Sequence, residues 1–338
     1  MHNIVLHRTF EGERKGDATY YVVEDGKTQT YTGVKIDLWL SSLDFSCNVR
    51  ITSLSTYLPV LIELRDRGVK ISSCHWHDTG IQKGLDPQAI AEAFAALPDD
   101  IFKPFTLRED LYKLRSMIAL RSAVMKFRIA AGQKILEQKR SLGFSDDATV
   151  PEWFSSAEKE NNNDVRKAEK PIERDIKKLA KTIPECIQLN AILDVKDGWL
   201  TSASAVALIG DVHRFATVSK LWHYAGFHVV NGKAAKRAKG SVVTWNPELR
   251  CTLWKWADSM IKHRENIWRS IYDGYLAEEL KVHGEKCKCE TSQGHSGARA
   301  RRRVIKNVLR EYWLQICKPG QEYLETPKSR AGFAMAAD

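Results

Sequence analysis

Near residue 106 the chain changes its period. Before it, apolar residues come in short runs broken by Gly, Pro and Asp-Gly; after it, they fall at helical spacing. A strand shows one face every second residue and a helix every three or four, so such a chain must build two kinds of core. Ile4–Thr9, Ala18–Glu24 and Thr28–Thr32 read as strands, with the turn Glu24-Asp25-Gly26-Lys27 joining the last two. Asp-Gly between such runs is a strong hairpin signal. Val34–Leu43 suits a short helix, Asn48–Thr52 a strand, and Leu54–Arg67 a helix stopped by Gly68. Val69–Cys74 is the next strand, and Pro87–Leu97 a helix stopped by Pro98. A hairpin meander followed by alternating α and β predicts a mixed sheet flanked by helices.

From Leu107 the pattern is helical: Leu107, Leu111, Leu114, Ile118, Met125, Ile129 and Leu136 mark one stripe. Ten Lys or Arg and only three acids lie between Lys103 and Arg140. A helix this basic either lies along a phosphate backbone, with Arg115, Arg121 and Arg128 as contacts, or presents a solvated face. Ser155–Ile192 is highly charged and helical, with Pro171 starting or kinking its second part. It suits a helical hairpin or coiled-coil arm, and with it a homo-oligomer. From Leu193 to Ile316 Trp and basic residues are dense and helices dominate; Pro319 onward reads as a loose tail.

Lys plus Arg number 52 and Asp plus Glu 42, a net charge of +10. That surplus points to a polyanionic partner, nucleic acid before others. Seven Cys at irregular spacing are no disulfide framework and fit a reducing cytosol. The N-terminus has no signal-peptide core, and no apolar run reaches the roughly 18 residues of a membrane span. A soluble, cytoplasmic, nucleoid-associated protein without a membrane partner is expected.

Leu193–Gly198 followed by Thr201–Ile209 reads as helix, tight turn, helix. This suits either a helix-hairpin-helix, whose backbone N–H groups face a phosphate, or an αα-corner with no ligand. Lys233, Lys236, Arg237 and Lys239 sit in a basic loop framed by Gly232 and Gly240, able to follow a phosphate backbone. Leu249–Val282 reads as one long amphipathic helix, with Trp254, Trp256 and Trp268 as packing rather than stacking platforms. In Gly297–Ile316, Arg299, Arg303, Lys306 and Arg310 share one face, and Ile305, Val308, Leu309, Tyr312 and Ile316 the other. Arg301 and Arg302 add charge, and no acid lies between Ala298 and Arg310. Like charges this close repel, and a polyanion facing them relieves the cost. His283, Cys287, Cys289 and His295 have zinc-binding residue types, although Cys-x-Cys is not the usual finger spacing. His75-Trp76-His77-Asp78 is a weaker cluster.

Ala205-Val-Ala-Leu-Ile-Gly210-Asp-Val-His-Arg-Phe215, Leu221-Trp-His-Tyr-Ala-Gly226, Trp245-Asn-Pro-Glu-Leu-Arg250 and the stretch from Gly294 through Arg302 to Trp313 together resemble the insertion-sequence-one-ten family of transposases and its Piv-type DNA invertase relatives. The resemblance covers most of residues 193–315. It implies an α/β ribonuclease-H-like (RuvC-like) N-terminal domain over 1–105, a basic helix and helical or coiled-coil arm over 106–192, and a mostly α transposase domain over 193–318, before the tail 319–338. It implies four metal-binding acids, a serine nucleophile, Mg²⁺, and a structured guide RNA pairing with double-stranded DNA.

The slots for those acids are poorly filled. The first strand offers His7 or Arg8, Thr52 takes the glutamate position, and the last pair falls on Lys83 and Asp86. Two Mg²⁺ ions need clustered carboxylates, and Asp86 alone remains; a shifted register could recruit Glu11, Asp17, Glu24, Asp25 or Asp78. The serine slot falls on Val242, with Ser241 beside it. The leading expectation is a transposase-derived, RNA-associated DNA-binding protein with an inactive site. An active recombinase using Ser241, and a dimeric scaffold built on the 155–192 arm, are the alternatives.

Overall fold

The structure, a computed structural model, describes residues 3–9, 19–32, 35–43, 46–52, 58–74, 79–81, 85–142, 152–230, 233–235, 243–263, 265–283 and 292–318. Two compact units divide the chain, Met1–Glu109 and Asp110–Asp338.

The first unit holds β1 (Asn3–Thr9), β2 (Thr19–Glu24), β3 (Lys27–Thr32), α1 (Lys35–Ser42), β4 (Asn48–Ile51), α2 (Leu58–Asp66), β5 (Lys70–Ser73), α3 (Pro87–Ala95) and β6 (Lys103–Pro104). They form a mixed sheet in the order β3-β2-β1-β4-β5-β6. β1, β2 and β3 are joined antiparallel, β4 and β5 continue parallel to β1, and β6 closes antiparallel on β5. Asp25 and Gly26 both take positive φ, 47° and 73°, which is what a two-residue hairpin turn demands. Ile4, Val5 and Leu6 are all buried, so β1 is central and covered on both faces. Ile90, Ala91 and Phe94 of α3 pack on Val5 and Val23.

The second unit holds α4 (Glu109–Ser141), α5 (Glu152–Ala180), α6 (Pro184–Leu193), α7 (Trp199–Ile209), α8 (Val218–Tyr224), β7 (Val229–Val230), β8 (Lys233–Ala234), α9 (Pro247–Lys262), α10 (Ile267–His283) and α11 (Ser292–Cys317). One apolar core runs through it, from Leu111, Leu114 and Ile118 of α4 to Val304, Ile305, Val308, Leu309 and Tyr312 of α11. α5 continues through Pro171; the break comes later, where Pro184 opens α6.

The single helix expected over Leu249–Val282 is two. Asn266, buried, interrupts it: its Nδ2 donates to Leu193 O (3.0 Å) and Asp194 O (2.7 Å), and its Oδ1 accepts from Trp268 N (2.9 Å). An Asn that satisfies backbone groups in this way favours a helix start over a helix interior. The indoles of Trp256 and Trp268 donate to Leu193 O (3.3 Å) and Ile192 O (2.6 Å). The last carbonyls of α6, which no helical N–H can reach, are thereby capped by α9 and α10. Both indoles are buried, as packing residues should be. No helix among the described residues is long and apolar enough to cross a membrane.

Candidate nucleic-acid interface

α11 and α10 lie side by side, and this sorts the cations of α11. Arg303 donates to Glu278 (2.6 Å) and lies over the Tyr275 ring (3.8 Å). Arg299 reaches Glu279 (3.5 Å), Arg301 pairs with Asp258 of α9 (2.7 Å), and Arg310 with Glu311 (3.5 Å). Arg299, Arg303 and Arg310, expected on one uncompensated face, therefore have carboxylate partners. For Arg299 and Arg303 the acids come from α10, which spacing along α11 cannot register; for Arg310 the acid is the next residue of α11, Glu311.

Arg302 and Lys306 are different. Among the described residues neither has a carboxylate partner, and they share their surroundings with Arg250 of α9, which also lacks one. All three are partly buried. Burial, then the charges of Arg250 and Arg299, lowers the Arg302 pKa; burial, then Arg302, lowers that of Lys306; burial lowers that of Arg250. Guanidinium groups stay charged all the same. The Lys306 ammonium sits 4.1 Å from the Trp222 ring centroid, and the Trp222 indole donates to Lys306 O (2.9 Å). Arg250 donates to Ala235 O (2.8 Å) and lies near Trp245 (5.9 Å). His228 stacks on His223 at 4.0 Å and meets Trp245 edge-on. Burial first, then repulsion from His223 and Arg250, favours the neutral form of His228.

The backbone around this cluster is tightly fixed. Gly226 has φ +75°, and a Cβ there would lie 2.5 Å from Trp245 Cδ1. Asn246 N donates to Tyr224 O (2.7 Å), while the Asn246 side chain caps α9 through Glu248 N and Leu249 N (both 3.0 Å). Arg214 stacks on Phe215 (4.6 Å) and Tyr224 (4.5 Å), and the Tyr224 hydroxyl donates to Leu208 O (2.9 Å). Arg250, Trp222, Trp245, His223 and His228 are not singled out by residue spacing, because four separate segments bring them together. A basic residue closely following the Trp-Asn-Pro helix start is the one signal that marks Arg250.

Lys233 begins β8; Lys236, Arg237, Lys239, Ser241 and Val242 lie outside the described residues. Arg115 is exposed beside Tyr112, whose hydroxyl burial pushes up to about 12. Arg121 and Arg128 are not free for phosphate: they bind Glu173 (2.6 Å) and Glu169 (2.7 Å) and tie α4 to α5.

In the first unit, His7 Nδ1 and Thr52 Oγ1 are hydrogen-bonded at 2.6 Å, both side chains buried. The positions expected for two carboxylates thus adjoin, but hold an imidazole and a hydroxyl. Burial keeps His7 toward its neutral form. Arg8 lies 5.9 Å from the Tyr20 ring centroid. Asp86 caps α3, its Oδ2 accepting from Gln88 N (3.0 Å) and Ala89 N (3.4 Å). Magnesium requires hard oxygen ligands, chiefly carboxylates, and the His7–Thr52 pair does not fit it. Lys83 and 75–78 lie outside the described residues, as do Glu11, Asp17, Cys287 and Cys289. His295 is exposed on α11, and His283 ends α10. Among the described residues no three His, Cys, Asp or Glu side chains come together to hold a metal.

Residues 198–273 match the model of the family described as Transposase IS116/IS110/IS902. The match runs from the start of α7 into α10 and contains Arg250, Trp222, Trp245, His223 and His228; Arg302 and Lys306 follow it. No curated protein matches the chain.

Proposed function

From a chain carrying a segment of the IS110-type transposase family, we propose a transposase-derived protein that binds nucleic acid, is guided by a structured RNA to double-stranded DNA, and has lost its two-metal cutting site. The observation that carries this is the cluster of Arg250, Arg302 and Lys306: three partly buried cations without a carboxylate among the described residues. Burying charge without a counter-charge is costly. Phosphate oxygens supply that counter-charge, and arginine binds them through paired donors.

The sheet order of the first unit, three antiparallel strands followed by two parallel ones, supports a ribonuclease-H-like reading. On that reading His7–Thr52 sits at the first two acid positions, where a metal would be held. The family-level function is DNA recombination; this chain would act by occupying DNA or recruiting a partner. Exposed Leu120, Phe127, Ile129 and Leu136 on α4 support a homo-oligomer formed through the arm.

The test is purification without nuclease, sequencing of any co-purifying RNA, and salt titration of RNA and DNA binding. A discrete structured RNA is expected. Arg302→Gln/Lys306→Gln should flatten the plot of log affinity against log salt by about 1.4–1.8, since each phosphate contact contributes roughly 0.7–0.9. An unchanged slope removes the cluster from the interface. Strand exchange in Mg²⁺ that is lost in Ser241→Ala overturns the inactive-site part.

A further inference from the structure

α5 carries a second cationic surface, distinct from the α9–α11 cluster. Lys170, Arg174, Lys177, Lys178 and Lys181, with Glu173, line one open concavity. Those cations fall at i, i+4, i+7, i+8 and i+11, one face of a helix. Two acids of α5 are drawn away from this face. Glu169 and Glu173 turn to Arg128 and Arg121 of α4, and Asp164 pairs with Lys167. Asp175 stands 3.9 Å from Arg174, and Asp197 takes Lys177 at 2.6 Å. Lys170, Lys178 and Lys181 are exposed and, among the described residues, have no carboxylate partner. The Lys181 ammonium lies 5.7 Å from the Trp199 ring centroid at the start of α7, within reach of a cation–π attraction that leaves its charge uncompensated by an acid.

Two acids of α5, Glu169 and Glu173, thus hold it to α4, while Asp164 and Asp175 stay exposed beside Lys167 and Arg174. Between Lys170 and Lys181 the exposed charges are one acid, Asp175, against Lys170, Arg174, Lys178 and Lys181, a cationic excess greater than internal pairing along the helix requires. We infer that the α5 face is a second docking track for the phosphodiester backbone of a nucleic-acid strand. From Lys170 to Lys181 it is about 16 Å long at 1.5 Å per residue, roughly five base-pair rises of a duplex strand. It reads charge, not sequence, because phosphate contacts carry no base information. The inference rests on the nucleic-acid reading only for the identity of the polyanion.

The experiment compares the full chain with Lys170→Gln/Lys178→Gln/Lys181→Gln. A charge-matched control, Lys27→Gln/Lys35→Gln/Lys70→Gln, removes three exposed lysines from the first unit. Binding to single-stranded RNA and to duplex DNA is measured across a salt series, with circular dichroism and melting to show that each variant folds. The α5 variant should lower the slope by about 2 on single strands, or about 2.7 on duplex DNA, from roughly 0.7 and 0.9 per contact. The polymer that shows the loss is the one α5 holds. Slopes equal to those of the control on both polymers overturn the inference while leaving the α9–α11 reading intact. No salt-dependent binding by the unsubstituted chain overturns both.

Discussion

Gly226 is where the backbone of the second unit and its cation cluster depend on the same atom. Its φ is +75°, and an added Cβ would sit 2.5 Å from Cδ1 and 2.9 Å from Cγ of Trp245. Gly226→Ala therefore carries two costs. The left-handed conformation costs an L-residue about 1–2 kcal/mol, and forcing a methyl into the indole costs about 1–3 kcal/mol more. A total loss of about 2–5 kcal/mol is expected. A double-mutant cycle separates the terms. In a Trp245→Ala background the indole is gone, so Gly226→Ala should cost only the backbone term, leaving a coupling of about 1–3 kcal/mol. Urea unfolding followed by circular dichroism at the helix band measures all four corners. Additive costs within about 0.5 kcal/mol would refute the clash. Trp245 also lies against Arg250 and His228, so Gly226→Ala should weaken RNA or DNA binding at temperatures where it remains folded.

Three further outcomes follow from the geometry. Asp86→Ala should cost about 0.5–2 kcal/mol as a lost helix cap, while Asp86→Asn, which still caps, should be nearly neutral in both stability and nucleic-acid binding. Loss of a Mg²⁺-dependent activity in Asp86→Asn would show the carboxylate acting as a ligand instead. Burial lowers the folded pKa of His7, so the unfolded chain binds the proton more readily. Stability from neutral His7 is then complete above about pH 6.5 and is lost as pH falls through that value toward the folded pKa. The urea midpoint of the first unit should drop between pH 7.5 and 5.5, and drop less in His7→Gln; equal drops exclude His7. Asn266→Ala takes a donor from Asp194 O and an acceptor from Trp268 N, while Leu193 O keeps the Trp256 indole, and should destabilise the second unit by about 2–4 kcal/mol, from roughly 1–3 per buried group left unsatisfied. A loss under about 1 kcal/mol would mean that water replaces the amide.

The hairpin turn, the mixed sheet and the core stripe of α11 were legible because each is written in local chemistry: Asp25-Gly26, the apolar run Ile4–Leu6, the spacing Ile305, Val308, Leu309, Tyr312. The break at Asn266 was not, because its reason lies some seventy residues away in the carbonyls of Leu193 and Asp194. The cation cluster was half legible. Arg302 and Lys306 stand out by charge, but Arg250 gains its meaning only when α9 and α11 are placed together. The acid slots show the reverse. His7 and Thr52 were assigned by resemblance to separate strands, and their hydrogen bond places the two slots side by side.

Charge on a helix is therefore a poor count of charge available to a ligand, and α11 makes the difference measurable. Four of its arginines, Arg299, Arg301, Arg303 and Arg310, are engaged by Glu279, Asp258, Glu278 and Glu311. Only Arg302 and Lys306 lack such partners among the described residues. Glu278 is exposed, and such a pair contributes little to stability; Glu279 is mostly covered, so the acids are replaced by glutamine, which keeps their shape while freeing the arginines. Glu278→Gln/Glu279→Gln releases Arg303 and Arg299, which lie on the solvent side of the α10–α11 pair. If α11 faces nucleic acid, the variant should bind more tightly at low salt. The slope of log affinity against log salt should steepen by up to about 2, roughly 0.9 for each arginine that gains a phosphate. Should the arginines instead point away from the bound strand, the slope stays where it was. The interface then narrows to Arg250, Arg302 and Lys306, and the other basic residues from Arg299 to Arg310 are accounted for by pairing, Arg299, Arg301 and Arg303 with α9 and α10 and Arg310 with Glu311 of α11 itself.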